Sequence, residues 1–260
     1  MLTPDKVTEK FLSIGKTKTT LPLWKMFLLG LAAGIYIALA GVACTQMNAL
    51  LGGGAGKILG ACVFPMGLIL VVIAGSELFT GNCLISVSVL QKEVKLPAML
   101  KNWGVVYVAN FLGGLLVAAA VALLGGISAE AYRDAAIASA TAKATLTFGQ
   151  AFVRGILCNI LVCLAVWVAT AAETAGGKIA GLYLPIAMFV LCGYEHSIAN
   201  MYFLPAGLFY AAQNGIASEG LTWANAFCNN LIPVSLGNIV GGCFIGVLYA
   251  LAYRRSKAAQ

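Results

Sequence analysis

Charge is what this sequence has least of. Of its 260 residues, 10% are Asp, Glu, Lys or Arg, and nine are acidic; a soluble domain ordinarily carries about 25% charged residues. So few charges cannot clothe a water-exposed surface, which excludes the common soluble enzyme and binding-domain classes. Histidine occurs once, and the eight cysteines (Cys44, Cys62, Cys83, Cys158, Cys163, Cys192, Cys228, Cys243) form no Cys-x-x-Cys pair. Neither a metal centre nor a disulfide framework is expected, no cofactor is implied, and the thiols read as small packing residues in apolar runs. A Gly-x-Ser-x-Gly elbow is also missing, so Ser197 beside His196 does not make a hydrolase. Residues 1–25 alternate charge and polarity (Asp5, Lys6, Glu9, Lys10, Lys16, Lys18) without a leading apolar core, unlike a cleavable signal.

What is abundant is apolar sequence, 61% of the chain. Several uncharged runs reach the roughly 20 residues that cross a bilayer. The expected fold is an all-α integral membrane protein with six spans, at about 26–50, 57–90, 102–126, 148–172, 179–213 and 231–253. Residues 26–253 are expected to form one transmembrane domain, 1–25 a cytoplasmic N-terminal segment and 254–260 a cytoplasmic tail. The first connection holds Gly52, Gly53 and Gly54; the third holds Glu130, Arg133 and Asp134, with a short surface helix before Lys143; 213–225 reads as a polar loop. In the N-terminal segment Val7, Phe11, Leu12 and Ile14 share an apolar side, which suits either a surface helix or a topogenic anchor.

The net charge of +7 would suit nucleic acid only if it formed one patch, and instead the cations flank the spans. With the N-terminus in the cytoplasm, Lys6, Lys10, Lys16, Lys18, Lys25, Lys92, Lys95, Lys101, Lys178, Arg254, Arg255 and Lys257 fall inside, and Lys57, Arg133, Lys143 and Arg154 outside. Twelve against four is the inside excess that sets orientation, so both termini are expected in the cytoplasm of a plasma (inner) membrane protein.

Two octets interrupt the longest apolar stretches. Gly75-Ser76-Glu77-Leu78-Phe79-Thr80-Gly81-Asn82 returns as Gly193-Tyr194-Glu195-His196-Ser197-Ile198-Ala199-Asn200, both Gly-x-Glu-x-x-x-small-Asn. The repeat extends outward: Phe27, Gly30 and Gly34-Ile35 align with Phe152, Gly155 and Asn159-Ile160. Likewise Asn102, Val106, Asn110 and Gly113-Gly114 align with Asn230, Val234, Asn238 and Gly241-Gly242. Each copy has three crossings, an odd number, so the copies (about 26–126 and 148–253) enter the membrane upside down relative to each other, with spans 2 and 5 broken. A broken membrane helix exposes backbone polar groups, tolerated only where they are buried in protein or line a cavity. The helix restarting after a break presents N–H groups and a positive dipole end, a ready anion site.

A carboxylate at membrane depth is costly and a functional candidate by default. Here Glu77 and Glu195 are read instead as anchors that accept hydrogen bonds and pin their loops, since an exposed carboxylate would repel anions; Glu195 has the further option of tuning His196. His196, with an ordinary pKa of about 6.5, is a feasible proton donor near neutral pH. Asn159, mid-span, can hydrogen-bond His196, a substrate or a neighbouring helix. Lys143 can draw anions into an outer vestibule or stand solvated.

Together these residues resemble the formate/nitrite transporter family, especially its formate channels. The motifs are Lys101-Asn102-Trp103; Asn159 with Val162-Cys163-Leu164-Ala165-Val166-Trp167; Leu184-Pro185-Ile186-Ala187-Met188-Phe189; Gly193 through Met201; and Asn230-Leu231-Ile232-Pro233-Val234 with Gly237-Asn238. The resemblance covers nearly the whole chain. It implies an aquaporin-like protomer in a homopentamer, with one pore per protomer. It matches Thr80 to a loop threonine that contacts a central histidine, His196, and Leu78 and Phe79 to apolar loop residues. Phe64, Leu68 and Phe189 match constriction residues, Asn159 a nearby asparagine and Lys143 an anion-attracting lysine; Asn200 and Asn238, with Asn82 and Asn110 in the first copy, are supporting polar positions. Glu77 departs from the pattern, as formate channels often carry Asp there. The resemblance implies a channel or transporter for small monovalent anions with formate the first expectation, and nitrite or hydrosulfide the alternative.

The expected mechanism follows from two close energies. A charge at the bilayer centre costs about 2.5–3.5 kcal/mol on the insertion scale. Protonating a carboxylate of pKa about 4 at pH 7 costs roughly 4 kcal/mol. A proton or strong hydrogen bond from His196 would decide between the charged and near-neutral routes.

Overall fold

Apolar runs with few breakers fold as helices, and the computed structural model, which describes residues 1–253, is helical throughout. Helix α1 spans Pro4–Thr20, α2 Leu23–Leu51, α3 Gly53–Val63, α4 Met66–Ala74, α5 Phe79–Asn82, α6 Ile85–Leu90 and α7 Leu96–Ala122. Then come α8 Glu130–Ala144, α9 Phe148–Ala171, α10 Ala175–Leu191, α11 Ser197–Gln213, α12 Trp223–Asn225 and, after a π-helical turn over Ala226–Leu231, α13 Ile232–Ala252. The tail 254–260, with Arg254, Arg255 and Lys257, lies outside the described residues.

Polarity is arranged inside out. Leu28, Leu116, Leu124, Leu184, Phe244 and Leu251 are exposed, whereas Asn102, Asn110, Asn159, Asn200, Asn230 and Asn238 are fully buried. Water would reverse this arrangement; hydrocarbon favours it. Among the described residues, five helical stretches are long and apolar enough to cross a membrane: Leu23–Leu51, Gly53–Ala74, Leu96–Ala122, Phe148–Ala171 and Trp223–Ala252. The protein is an all-α, multi-pass membrane protein. Two shorter apolar stretches, Phe79–Leu90 and Ala175–Leu191, adjoin the octets.

Two close helix crossings organise the interior, α2 with α7 and α9 with α13. A Cβ on Gly34 would stand 2.2 Å from the Asn110 carbonyl oxygen, and one on Gly237 2.2 Å from that of Phe152. Glycine is required at both points because backbone lies directly opposite.

Several boundaries differ from the sequence expectation, each for a local reason. The first connection narrows to Gly52 (φ 59), because Gly53 and Gly54 already turn in α3. Pro65 separates α3 from α4 by withholding a backbone donor. The third span starts at Leu96, on Pro97 in its first turn. The polar connection at 213–225 is shorter than expected: α11 runs through Gln213, and Thr222 caps α12 by accepting from Asn225 N–H. Helix α8 is neither short nor superficial, and it includes Lys143; Tyr132, Ala136, Ala140 and Ala144 are buried against its neighbours. Helix α1 does pack by its apolar side, burying Val7, Phe11 and Leu12, with Phe11 stacked on Trp167 at 4.8 Å.

Candidate functional site

Each octet ends a helix in the same way. Gly75 (φ 80) and Gly193 (φ 69) take left-handed backbone conformations, which only glycine adopts without strain. The following N–H groups fold back onto the preceding turn, Ser76 to Val71 O at 2.8 Å and Tyr194 to Phe189 O at 3.0 Å. The next pair reaches a neighbouring helix, Glu77 N–H to Leu29 O at 3.2 Å and Glu195 N–H to Arg154 O at 3.3 Å.

An asparagine from another helix then completes each break. Asn110 accepts Phe79 N–H at 3.0 Å and donates to Glu77 O and Gly30 O at 3.0 and 2.7 Å. Asn238 accepts Ser197 N–H at 2.9 Å and donates to Glu195 O and Gly155 O at 3.0 and 2.8 Å. One buried amide thus replaces the backbone partners that the break removes.

The glutamates are anchors. Glu77 accepts from Lys18 Nζ at 2.7 Å and Asn82 Nδ2 at 2.8 Å, and Asn82 also donates to Asn102 Oδ1 at 2.8 Å. Glu195 accepts from Lys143 Nζ at 2.9 Å, Asn200 Nδ2 at 2.6 Å and Asn230 Nδ2 at 3.1 Å. Both carboxylates are buried, so each lysine chiefly neutralises a charge that would otherwise stand unpaired. Lys143 also lies over the Phe203 ring, 5.3 Å from its centroid. The Glu195 carboxylate makes no hydrogen bond to His196 among the described residues.

Lys18 escaped the sequence reasoning. The signal was available: Lys18 precedes Phe27 by nine residues, as Lys143 precedes Phe152. Helix α1 therefore stands toward Glu77 as α8 stands toward Glu195. Asn102 Nδ2 donates to Lys18 O at 3.2 Å, as Asn230 Nδ2 does to Lys143 O at 3.1 Å.

The centres of the breaks meet. His196 Nε2 lies 2.8 Å from Thr80 Oγ1. Its other ring nitrogen, Nδ1, caps α11 by accepting Ala199 N–H at 3.1 Å. A nitrogen that accepts carries no proton, so the neutral ring holds its hydrogen on Nε2 and donates it to Thr80. The threonine hydroxyl hydrogen is then left for another acceptor.

Asn159 lies one step away. Its amide donates to Asn238 O in α13 at 2.7 Å, the bond to another helix that the sequence offered, and to Thr80 O at 3.1 Å; it makes no hydrogen bond to His196 among the described residues. The Cys163 thiol, one turn on, donates to the same Thr80 carbonyl at 3.5 Å.

Two cavities adjoin the two breaks, one beside each. One, of about 380 Å³, is lined by Phe11, Lys18, Leu68, Glu77 and Leu78. The other, of about 570 Å³, is lined by Lys57, Phe64, Lys143, Arg154, Phe189 and His196. Phe64 meets Phe189 edge to face at 5.7 Å, and Phe189 lies 5.8 Å from the His196 ring. Phe79 lines neither cavity; its ring packs on Tyr107 at 4.9 Å and Trp103 at 6.0 Å. The site therefore combines apolar walls, one paired imidazole–hydroxyl and lysine-neutralised acids, a set suited to passing a small polar or anionic species.

Comparison with known proteins points to one family. A family described as formate/nitrite transporter matches residues 5–252. The sequence is similar to a "Probable formate transporter" of Methanothermobacter thermautotrophicus, 40% identical over 96% of each chain. A solved "Pentameric formate channel with formate bound" superposes with a TM-score of 0.78 at 38% identity, covering 90% of this chain and 98% of that one. A solved "FNT family ion channel" superposes with a TM-score of 0.84 at 29% identity, covering 96% and 98%.

Proposed function

The chain belongs to the formate/nitrite transporter family and is a transport protein, not an enzyme; from that premise we propose that it is a channel for small monovalent anions, with formate the best fit. The observation that carries this reading is the His196–Thr80 contact, which joins the two breaks, each with a cavity beside it.

The proposed architecture is six spans in two inverted copies, an aquaporin-like protomer in which α3 to α6 form one broken span and α10 with α11 the other. The matching sets of hydrogen bonds at the two breaks support it. Five such protomers, each with its own pore, form the assembly, as the solved relative's description states of that protein. Residues 1–25 wall the inner mouth, 26–253 form the channel, and both termini lie in the cytoplasm beneath the inner membrane.

The anion meets Lys143 on one side and Lys18 on the other, each paired with its glutamate so that neither mouth presents a bare carboxylate to repel it. It passes the apolar constrictions at Phe64 and Phe189, then those at Leu68 and Leu78. Between them, Thr80 O–H donates to it, while His196 Nε2–H polarises that hydroxyl. These donors lie in a dry, low-dielectric passage, where an aimed hydrogen bond outweighs its value in water. Full proton transfer needs imidazolium, and protonating Nδ1 forfeits the Ala199 cap, worth about 0.5–2 kcal/mol. At neutral pH the ring therefore works as a hydrogen-bond donor. Acid on one side loads Nδ1, and the ring then passes its Nε2 proton to the anion, giving proton-linked uptake.

The test is formate flux into proteoliposomes across pH. His196→Asn is expected to keep a residual flux while losing the rise on acidification. Wild-type flux and wild-type pH dependence in that variant would remove the histidine from the mechanism. Nitrite and hydrosulfide are the competing substrates, because Glu77 departs from the usual formate-channel residue; competition against labelled formate ranks the three.

A further inference from the structure

The two cavities, alike in their hydrogen-bonded floors, differ in charge. Among the described residues, the cavity beside α1 is lined by one cation, Lys18, and one acid, Glu77, which bond each other. Among the same residues, the cavity above His196 is lined by three cations, Lys57, Lys143 and Arg154, and one acid, Glu195. Lys143 is committed to Glu195. Lys57 and Arg154 are exposed and make no side-chain hydrogen bond or ion pair among the described residues.

The asymmetry has an identifiable origin. Arg154 supplies the carbonyl that holds Glu195 N–H, and the residue in the same role in the first copy is Leu29. Where one copy presents an apolar side chain, the other presents a guanidinium with five donors suited to an oxyanion. Two uncommitted cations in one cavity of about 570 Å³ favour a doubly charged ligand over a singly charged one, since the attraction scales with ligand charge. A dianion cannot follow a monovalent anion through the apolar constriction, because each charge carried to membrane depth costs about 2.5–3.5 kcal/mol.

We propose that the vestibule bounded by Lys57, Arg154 and Lys143 is a binding site for small divalent oxyanions, of which sulfate is the simplest, and that such an anion blocks the channel from that face alone. This rests on the channel reading above. It adds a second ligand class and a sidedness that the matching breaks do not themselves contain.

The experiment measures labelled formate uptake in right-side-out and inside-out membrane vesicles from cells without other formate carriers. Sulfate is compared with gluconate at equal ionic strength, so that general screening cancels. Sulfate at the Arg154 face is expected to raise half-saturating formate by about threefold, and sulfate at the opposite face to leave it unchanged. In Arg154→Leu, which installs the residue used in the other copy, the effect should fall to less than about half. Lys57→Gln should act in the same direction. Without sulfate, Arg154→Leu lowers permeability at low formate equally in both directions, as detailed balance requires. No block from either face, equal block from both, or one-sided block unchanged in both variants overturns the site. Radiolabelled sulfate binding to the purified protein is measured in parallel. If wild-type vesicles take up no formate, the channel reading falls, and the binding measurement still judges the site: binding absent, or unaltered in Arg154→Leu, overturns it.

Discussion

Single residues in this protein are defined by what they hold. Glu195 is the clearest case: an acid in an apolar span suggests function, yet its two oxygens are occupied by Lys143, Asn200 and Asn230. Removing one partner of a buried pair leaves the other charge uncompensated, which costs about 3–5 kcal/mol, whereas removing both is far milder. Lys143→Ala is therefore expected to lower thermal stability sharply, with much of the loss recovered in the double variant Lys143→Ala/Glu195→Gln. Equal stability of the single and double variants, measured by thermal unfolding in detergent, would show that the pair is not coupled. His196 is likewise fixed by its neighbours: the Ala199 cap places the ring hydrogen on Nε2, toward Thr80.

At the scale of elements, the two breaks are built structures, not melted helix. Each consists of a left-handed glycine, two inward N–H groups given to neighbouring backbone, and an asparagine from a distant helix. At Gly193 nothing lies within 4 Å of where a Cβ would sit, so a substitution there is opposed by backbone conformation alone. Gly193→Ala should destabilise by about 1 kcal/mol. Gly237→Ala is different in kind, since its Cβ would meet the Phe152 carbonyl at 2.2 Å, and it should fail to yield folded protein. Comparable unfolding temperatures for the two variants would contradict this division. The elements were legible in sequence because apolar length and the octets mark them. Helix α8 was underestimated because its small alanines pack a helix interface while looking like a polar surface. The place of α1 rests on Lys18 reaching Glu77 across 59 residues of chain, and its one trace in sequence is the nine-residue spacing from Lys18 to Phe27 that Lys143 and Phe152 share.

For the whole molecule, the exposed face is apolar over most of its length, with Leu28, Leu116, Leu124, Leu184, Phe244 and Leu251 all outward. Lipid alone or lipid with other copies must cover it. Native mass spectrometry from mild detergent is expected to give a five-chain assembly; a monomer retaining formate flux would overturn the pentamer while leaving the pore in each chain intact.

The sequence by itself determined the membrane class, the two broken segments and the list of polar residues near them. These depend on composition and local pattern, which a chain carries without reference to its fold. Only the tertiary structure decided how those residues divide. It turned Phe79 onto Tyr107 and away from both cavities, and gave Asn159 to the Thr80 carbonyl. It also set Lys18 on Glu77 and Lys143 on Glu195, and brought Lys57 and Arg154 into one vestibule. The reason is geometric. Which face of a helix a side chain occupies, and which distant backbone group it meets, follows from how the helices pack against one another, and spacing along one strand of sequence does not encode that contact.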